Sequence, residues 1–428
     1  MRLILFDPLT DARINFYPLA LGRPIFDLRC GMTSLGDKLI AKLRAGEVAY
    51  FVPPYMADAY RARTDRPVND PATLRGDDLL LLNDRVKAAE FTVAPTGTSQ
   101  VAVDPSGEVL YARIAKDDLA KLGDTIRPAV DPLAAMLDAA KKVLPAADRL
   151  PATWNYTWDL VLANPAQLAI DFIAAGRHGI EGTVEEPCAI RGRPEDVYVA
   201  PGAVVHPMVV IDAEHGPVYL DEEVEVHPFT RIEGPCYVGQ KSILLGCKCR
   251  GGNSIGPMCR VGGEVEGSIL HGYANKYHDG FLGHAYVGQW VNLGALTTNS
   301  DLKNDYSTIS VVLDGRRPVP TGSTKVGSLI GDHAKTSIGT LLNTGAYVGA
   351  MTMIVTIGKL LPKFLPSFGA YIEGSLTEGF GKQALYATAK AAMSRRNCVW
   401  TPADEALWDA VYEMTAPERE EAILKGRK

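Results

Sequence analysis

Between Val261 and Tyr306 the chain gathers residue types suited to group transfer: His271, His278 and His284, Lys276 and Lys303, Asn292, Asn299 and Asn304. An imidazole with an ordinary pKa of about 6.5 accepts a proton at neutral pH, which makes histidine the natural general base for an amine or hydroxyl nucleophile. Lysines beside it would meet anionic oxygens, and asparagines would orient carbonyls or hydroxyls. His278, in Lys276-Tyr-His-Asp-Gly280, is the candidate base. Asn292 is the candidate orienting group, and Lys276, Lys303, Asn299 and Tyr306 are candidate substrate contacts. His284 lies six residues beyond His278, on the next face, and reads as structural or as part of a subunit seam. Zinc is the weaker reading of these histidines, because they show no H-x-x-x-H spacing and no neighbouring cysteine.

The elements that must position these groups follow from a period of six. Val199, Val205 and Ile211 are six apart, and so are Leu220, Val226, Ile232, Val238 and Leu244. Ile255 and Val261 continue the interval, and Ile330, Thr336, Leu342, Val348 and Ile354 repeat it. Six is neither the helical nor the strand period. It marks a hexapeptide parallel β-helix, in which each short strand turns one aliphatic residue inward and three strands close a coil. Such solenoids have long flat faces and commonly pair side by side, so a homotrimer is expected. Asp301–Lys325 interrupts the repeat, and a loop of this length is read as functional or oligomeric, with Arg316 and Arg317 at a boundary or on a solvated tip.

Residues 1–180 alternate short apolar runs with helical patterns and read as an α/β domain. Strands are expected at Leu3–Phe6, Val48–Val52 and Leu79–Leu82, a small meander at Phe91–Ala94, Val101–Val103 and Val109–Ala112, and helices at Thr33–Leu43, Pro132–Val143 and Pro165–Ala175. A sugar-nucleotide pyrophosphorylase cradles phosphates on a glycine-rich loop after its first strand, with basic residues following. Here that loop is FDPLTDARINFYPLALGRP. It retains Arg13 and Arg23 as candidate nucleotide ligands but lacks clustered glycines. The alternative is structural, with Arg13 and Arg23 paired to Asp7, Asp11 or Asp27. Asp84, after the Leu79–Leu82 strand, is a candidate Mg²⁺ ligand or a turn residue. Residues 376–428 read as a helical tail that caps the solenoid, with Thr401-Pro402 opening a helix.

The totals exclude several classes. The net charge of −6 gives no basic excess for nucleic acid or an acidic membrane surface. The apolar run at the N-terminus is too short for a signal-peptide core, and a cytoplasmic location is expected. The seven cysteines are odd in number and scattered, as expected of reduced thiols, and Cys247-Lys248-Cys249 lacks the second pair of a metal site.

With these elements in place, the segments RPIFDLRCG, GPVYL, GGEVEGSILHGYANKYHDGFLGH and WVNLGALTTNSDLKNDY resemble those of the GlmU-like bifunctional family that makes UDP-N-acetylglucosamine, in a branch described as sugar nucleotidyltransferases. The resemblance implies a nucleotidyltransferase-like α/β domain (1–180), a left-handed β-helix acyltransferase domain (181–375) and the helical tail. It implies acetyl-CoA-dependent N-acetylation of glucosamine-1-phosphate and uridylyl transfer from UTP to N-acetylglucosamine-1-phosphate, with Mg²⁺ for the second reaction. It places His278 at the acetyltransferase histidine, Arg250 at a sugar-phosphate arginine, Glu264 at the glutamate of a V-E-V segment and Asn292 at the asparagine of N-I-G-A-G. It also shows two departures, Phe281 for a tyrosine and Glu266 for a phosphate-binding lysine. The alternatives are a chain with one active half, or a non-catalytic trimeric scaffold.

Overall fold

The computed structural model describes residues 1–123, 131–356 and 358–426. Its first element, β1 (Arg2–Phe6), is an apolar strand buried on both faces, as parallel strands are. It lies between β2 (Glu47–Phe51) and β3 (Leu79–Asn83), both parallel to it. The hairpin β4 (Gln100–Val103) and β5 (Val109–Ile114) completes the sheet in the order β2-β1-β3-β5-β4, with β5 antiparallel to β3. Residues 91–94, expected as a third strand of the meander, form none. Helix α1 (Leu35–Leu43) starts on a capping box in which Ser34 and Asp37 satisfy each other's backbone N–H groups. Helix α2 (Pro132–Val143) spans the expected residues.

Helix α3 begins eight residues before its expected start, at Thr157, and runs to Ala175 with Pro165 in its interior. Pro165 lacks the N–H that an interior helical position donates. Tertiary packing explains its presence, because its ring abuts Gly252 at a solenoid corner, where a Cβ would lie 3.0 Å from the ring. The neighbouring Asn164 donates to Gly252 O at 2.8 Å and accepts from Gly31 N at 2.6 Å, while the Ser254 hydroxyl donates to Gly31 O at 2.7 Å. One buried amide thus joins the α/β domain, its last helix and the solenoid.

The solenoid is a parallel β-helix. Ile180, Val199, Leu220, Val238, Ile255, Leu270, Val287, Ile330, Val348 and Leu365 stack in register along a ten-stranded sheet on its first face. Val205, Val226, Leu244, Val261 and Lys276 stack on the second face, and Ile211, Ile232, Cys249, Val265 and Leu282 on the third. The aliphatic members form a single buried core, each contributing roughly 1.5–3 kcal/mol of burial. All seven cysteines are free, and Cys236, Cys247, Cys249 and Cys259 lie in that core as small apolar side chains.

On the first face the outward residues are also buried. Tyr198, Tyr237, Ile269, Tyr286, Leu329 and Tyr347 pack under the α/β domain, against α3 and the segment around Phe16–Leu28. The Asp301–Lys325 interruption folds onto the same side. It contains an antiparallel pair, Ser310–Val312 with Pro318–Pro320, and buries Ile309, Val311 and Leu313. Arg316 pairs within the chain, with Glu421 at 2.7 Å.

The tail differs from a simple cap. Helices α4 (Lys382–Ser394) and α5 (Pro402–Met414) wedge between the α/β domain and a solenoid corner. They bury Tyr386, Leu407, Trp408 and Val411 with Met56 and Tyr60 on one side and Met351 and Phe368 on the other. Thr401 caps α5 as its sequence predicts, accepting from Asp404 N at 3.2 Å. Helix α6 (Ala416–Gly426) follows near the terminal hairpin. Among the described residues no helix is long and apolar enough to cross a membrane.

Candidate active site on the β-helix

Successive coils stack equivalent positions, 17 residues apart between Glu264 and Phe281, and this alignment builds the site. Glu264 pairs with Phe281, and Glu266 with Gly283, on the third face. Both glutamates point outward, because Val265 between them points in. Arg250, one coil earlier, reaches Glu266 at 3.1 Å and Glu264 at 3.6 Å, and Lys325 reaches Glu266 at 3.5 Å. At the next corner the repeat places Gly267, His284 and Asp301 over one another. His284 Nδ1 lies 2.7 Å from Asp301 Oδ2, and its ring lies over Gly267, where a Cβ would sit 3.0 Å from Nε2. His284 is in the left-handed region at φ 45°, one of the corner residues held there by the coil. Asp301 is held below the usual carboxylate range by His284, and Lys325 adds to this against the opposing effect of burial. The His284–Asp301 pair was missed in the sequence, although their separation of one coil length was a usable signal.

His278 occupies the opposite corner of the third face. It is exposed, and its ring lies edge-on to Tyr277 at 5.7 Å, with no hydrogen bond or ion pair to the imidazole among the described residues. The corner beneath it is fixed from inside. Lys276 is 2% exposed and points into the solenoid, donating to Gly262 O at 3.0 Å and His278 O at 2.5 Å. Burial pushes its pKa down to about 8. This corrects the expectation that Lys276 contacts substrate: it clamps the corner carbonyls. Asn299 is corrected in the same way. Both ends of its buried amide are taken by Gly283, from N at 2.7 Å and to O at 2.8 Å. Lys303 bonds within its own loop, to Thr308 O at 2.6 Å, and Tyr306 is exposed beside it.

Asn292 lies elsewhere. It is exposed on the second face, bridging the strands of Asn275 and Lys335, and accepts from Asn275 at 3.2 Å. A cavity of about 310 Å³ opens there between the solenoid and α4, lined by Tyr273, Trp290, Lys335, Arg395 and Arg396 among others. Lys335 donates to Trp290 O at 2.6 Å, and burial pushes its pKa down to about 7.

In the α/β domain the candidate ligands are consumed by structure. Arg13 is buried, with its guanidinium on Asp7, Ala20 O and Arg23 O. Arg23 pairs with Asp332 of the solenoid and not with a nearby aspartate of its own domain. Asp84 does not fit a Mg²⁺ ligand. It is fully buried, one oxygen accepts from Phe26 N at 2.9 Å while the other has no hydrogen-bond partner, and Arg13 and Arg85 beside it would repel a cation. Desolvation raises its pKa above the usual carboxylate range, which favours the neutral acid. A cavity of about 190 Å³ does lie beyond the carboxyl end of β3, where ligands of open α/β sheets bind. Lys38, Lys87 and Trp154 line it, with Lys87 Nζ 4.7 Å from the Trp154 ring centre.

Residues 3–178 match the family described as sugar nucleotidyl transferase. The chain is 33% identical over 113 residues to the "Bifunctional protein GlmU" of Acidovorax ebreus, covering 26% of this chain and 21% of that protein. It is 30% identical over 91 residues to the "Bifunctional sugar-1-phosphate nucleotidylyltransferase/acetyltransferase" of Sulfurisphaera tokodaii, covering 21% and 22%. It is 26% identical over 177 residues to the GlmU protein of Thermotoga petrophila, covering 37% and 36%. The matched stretches thus span about a fifth to a third of the curated relatives' length. The N-terminal α/β domain thus matches a sugar nucleotidyl transferase model, and parts of the chain, which also carries a parallel β-helix and a helical tail, are similar to bifunctional GlmU proteins.

Proposed function

We propose that the protein N-acetylates an amino-sugar 1-phosphate, glucosamine-1-phosphate in the first instance, with acetyl-CoA as donor and His278 as general base. The observation that carries this reading is the exposed imidazole of His278 on a corner whose backbone is locked by the buried Lys276. A rigid base beside a flat face suits a reaction that needs the sugar amine neutral when it meets the thioester carbonyl. His278 takes the amine proton as the C–N bond forms. Corner N–H groups stabilise the carbonyl oxygen as it becomes anionic. The thiolate of CoA then leaves. Arg250 meets the sugar phosphate by exchanging it for Glu266. The exposed apolar residues Met208, Phe229, Leu296 and Ile338 run along the same edge as His278, which supports a homotrimer with the site at its seam.

Uridylyl transfer from UTP to N-acetylglucosamine-1-phosphate is the second reading, favoured by the family match of residues 3–178. Its phosphates would be met at the cavity that Lys87 lines, since Lys38 there is already paired with Asp171 at 2.5 Å. Two incubations of the whole protein separate the readings. Glucosamine-1-phosphate with acetyl-CoA should release CoA, and His278→Ala should slow this by roughly 100- to 10,000-fold. UTP with N-acetylglucosamine-1-phosphate should release pyrophosphate if the second half also works. Full acetyl transfer by His278→Ala would remove the assignment.

A further inference from the structure

Away from this site, three coils at the start of the β-helix bring a second set of side chains together. Val184, Val205 and Val226 stack inward on the second face, which places Glu185, His206 and His227 one above another just beyond them. Glu225 precedes Val226 and points to the same side as His227, two residues on. Glu225 Oε1 lies 3.2 Å from His206 Nε2 and 3.2 Å from His227 Nε2. The three ligand atoms fall within 4.8 Å of one another. Glu185 reaches the far nitrogen of the first ring, 2.9 Å from His206 Nδ1.

We propose that His206, His227 and Glu225 form a binding site for a divalent transition-metal cation of the Zn²⁺ class. Both Nε2 atoms converge on the same Glu225 oxygen at 3.2 Å, as three ligand atoms arranged around one ion do. Zn²⁺ binds imidazole nitrogen and carboxylate oxygen at about 2.0–2.2 Å, so adjacent ligands of a tetrahedral site stand roughly 3.3 Å apart. Both N···O separations match that edge. Glu185 then serves as the outer carboxylate that fixes the tautomer and orientation of a metal-bound histidine. The side chains of His206 and His227 are 28% and 32% exposed, so water has access to a fourth position. The bound ion staples the strands at 204–205 and 225–226, which the backbone already pairs. Sequence reading missed the set because His206 lies one coil before Glu225 and His227, 19 residues from Glu225.

Metal-stripped, tag-free full-length protein is titrated with Zn²⁺ against a chromophoric chelator, and with Co²⁺ by visible absorption. Binding of about one ion per chain is expected, with the intense Co²⁺ bands of four-coordination. His206→Gln and His227→Gln should each weaken binding at least roughly 100-fold, and Glu185→Gln by about 10- to 100-fold. All three side chains point out of the solenoid, so their circular dichroism should match the parent protein. Failure of the parent protein to bind Zn²⁺, or unchanged affinity in the His206→Gln/His227→Gln double variant, would overturn the site.

Discussion

Arg23 offers the sharpest separation between a nucleotide ligand and a structural cation. It is 2% exposed, and its guanidinium meets Asp332, which is 4% exposed and also accepts from Gln289 N at 2.8 Å. Removing one partner of a buried ion pair leaves an uncompensated charge and costs about 3–5 kcal/mol, whereas replacing both by neutral groups costs much less. Asp332→Ala should therefore lower unfolding stability by about 3–5 kcal/mol, and Arg23→Met by a similar amount. The double variant Arg23→Met/Asp332→Asn keeps an acceptor for Gln289 N and should recover about 2–3 kcal/mol of the summed loss. Urea unfolding followed by tryptophan fluorescence is a suitable assay, since the Trp408 ring packs against Gly22, next to Arg23. KM for UTP, measured on folded Arg23→Met protein, should stay within about twofold if Arg23 is structural. A stability loss under about 1 kcal/mol together with a large rise in KM would refute the argument and return Arg23 to the phosphates.

Lys276 is protonated at about pH 8 in the folded protein against 10.5 in its ordinary state. Between those values the unfolded chain binds more protons, so this group makes stability rise with pH, by roughly 3 kcal/mol across the window; the rise should be absent from the Lys276→Met unfolding curves and so appear in full in the difference between parent and variant. Glu266→Gln frees Arg250 from its nearer carboxylate and should lower KM for the sugar phosphate. Arg250 is 49% exposed, so the pair is worth at most about 1 kcal/mol and the gain is at most about fivefold; a rise in KM would place Glu266 on the substrate.

The period of six made the inward ladder legible because it depends on one aliphatic residue per strand, and every hexad position lies in the solenoid core or, as Thr336 does, on its wall. What lies outside the ladder was less legible. The tyrosines at 198, 219, 237, 286 and 347 each precede an inward aliphatic by one residue, so they point outward, and that recurrence announces a covered face. The alternation was visible, but its occupant, the α/β domain, was not. Lys276 shows the opposite problem. Its residue type suggests a phosphate ligand, yet its register, paired with Val261 across a coil of 15 residues that breaks the period of six, puts it inside. Position outranks residue type in a solenoid, because a shift of one residue reverses the direction of a side chain. Arg13 pairs with Asp7, as the structural alternative had it, whereas Arg23 misled because a basic residue near a phosphate loop and one bridging two domains look identical in sequence; only the fold shows that Asp332, 309 residues away, is its partner.

The distribution of covered and open faces constrains where the proposed acetyl transfer can occur. The first face is sealed by α3 and the loops before α1, and the polar node at Asn164 and the Arg23–Asp332 pair both lie in that seal. The later coils of the second face are roofed by α4 and the turn after it, where Arg396 donates to Asn275 at 3.2 Å. That leaves the third face and its two corners as the long open surface, and the stack of Arg250, Glu264, Glu266, Phe281 and His284 lies there, with His278 at its edge. Asn292 lines the roofed cavity, whereas His278 stands at the corner that leads into the third face. In the proposed trimer the two groups could meet across a subunit boundary. Co-assembly of His278→Ala with Asn292→Ala chains tests this directly. Mixed trimers should regain activity if the groups act between subunits. Purely additive loss would assign Asn292 to the cavity under α4 and leave His278 to act with groups of its own face.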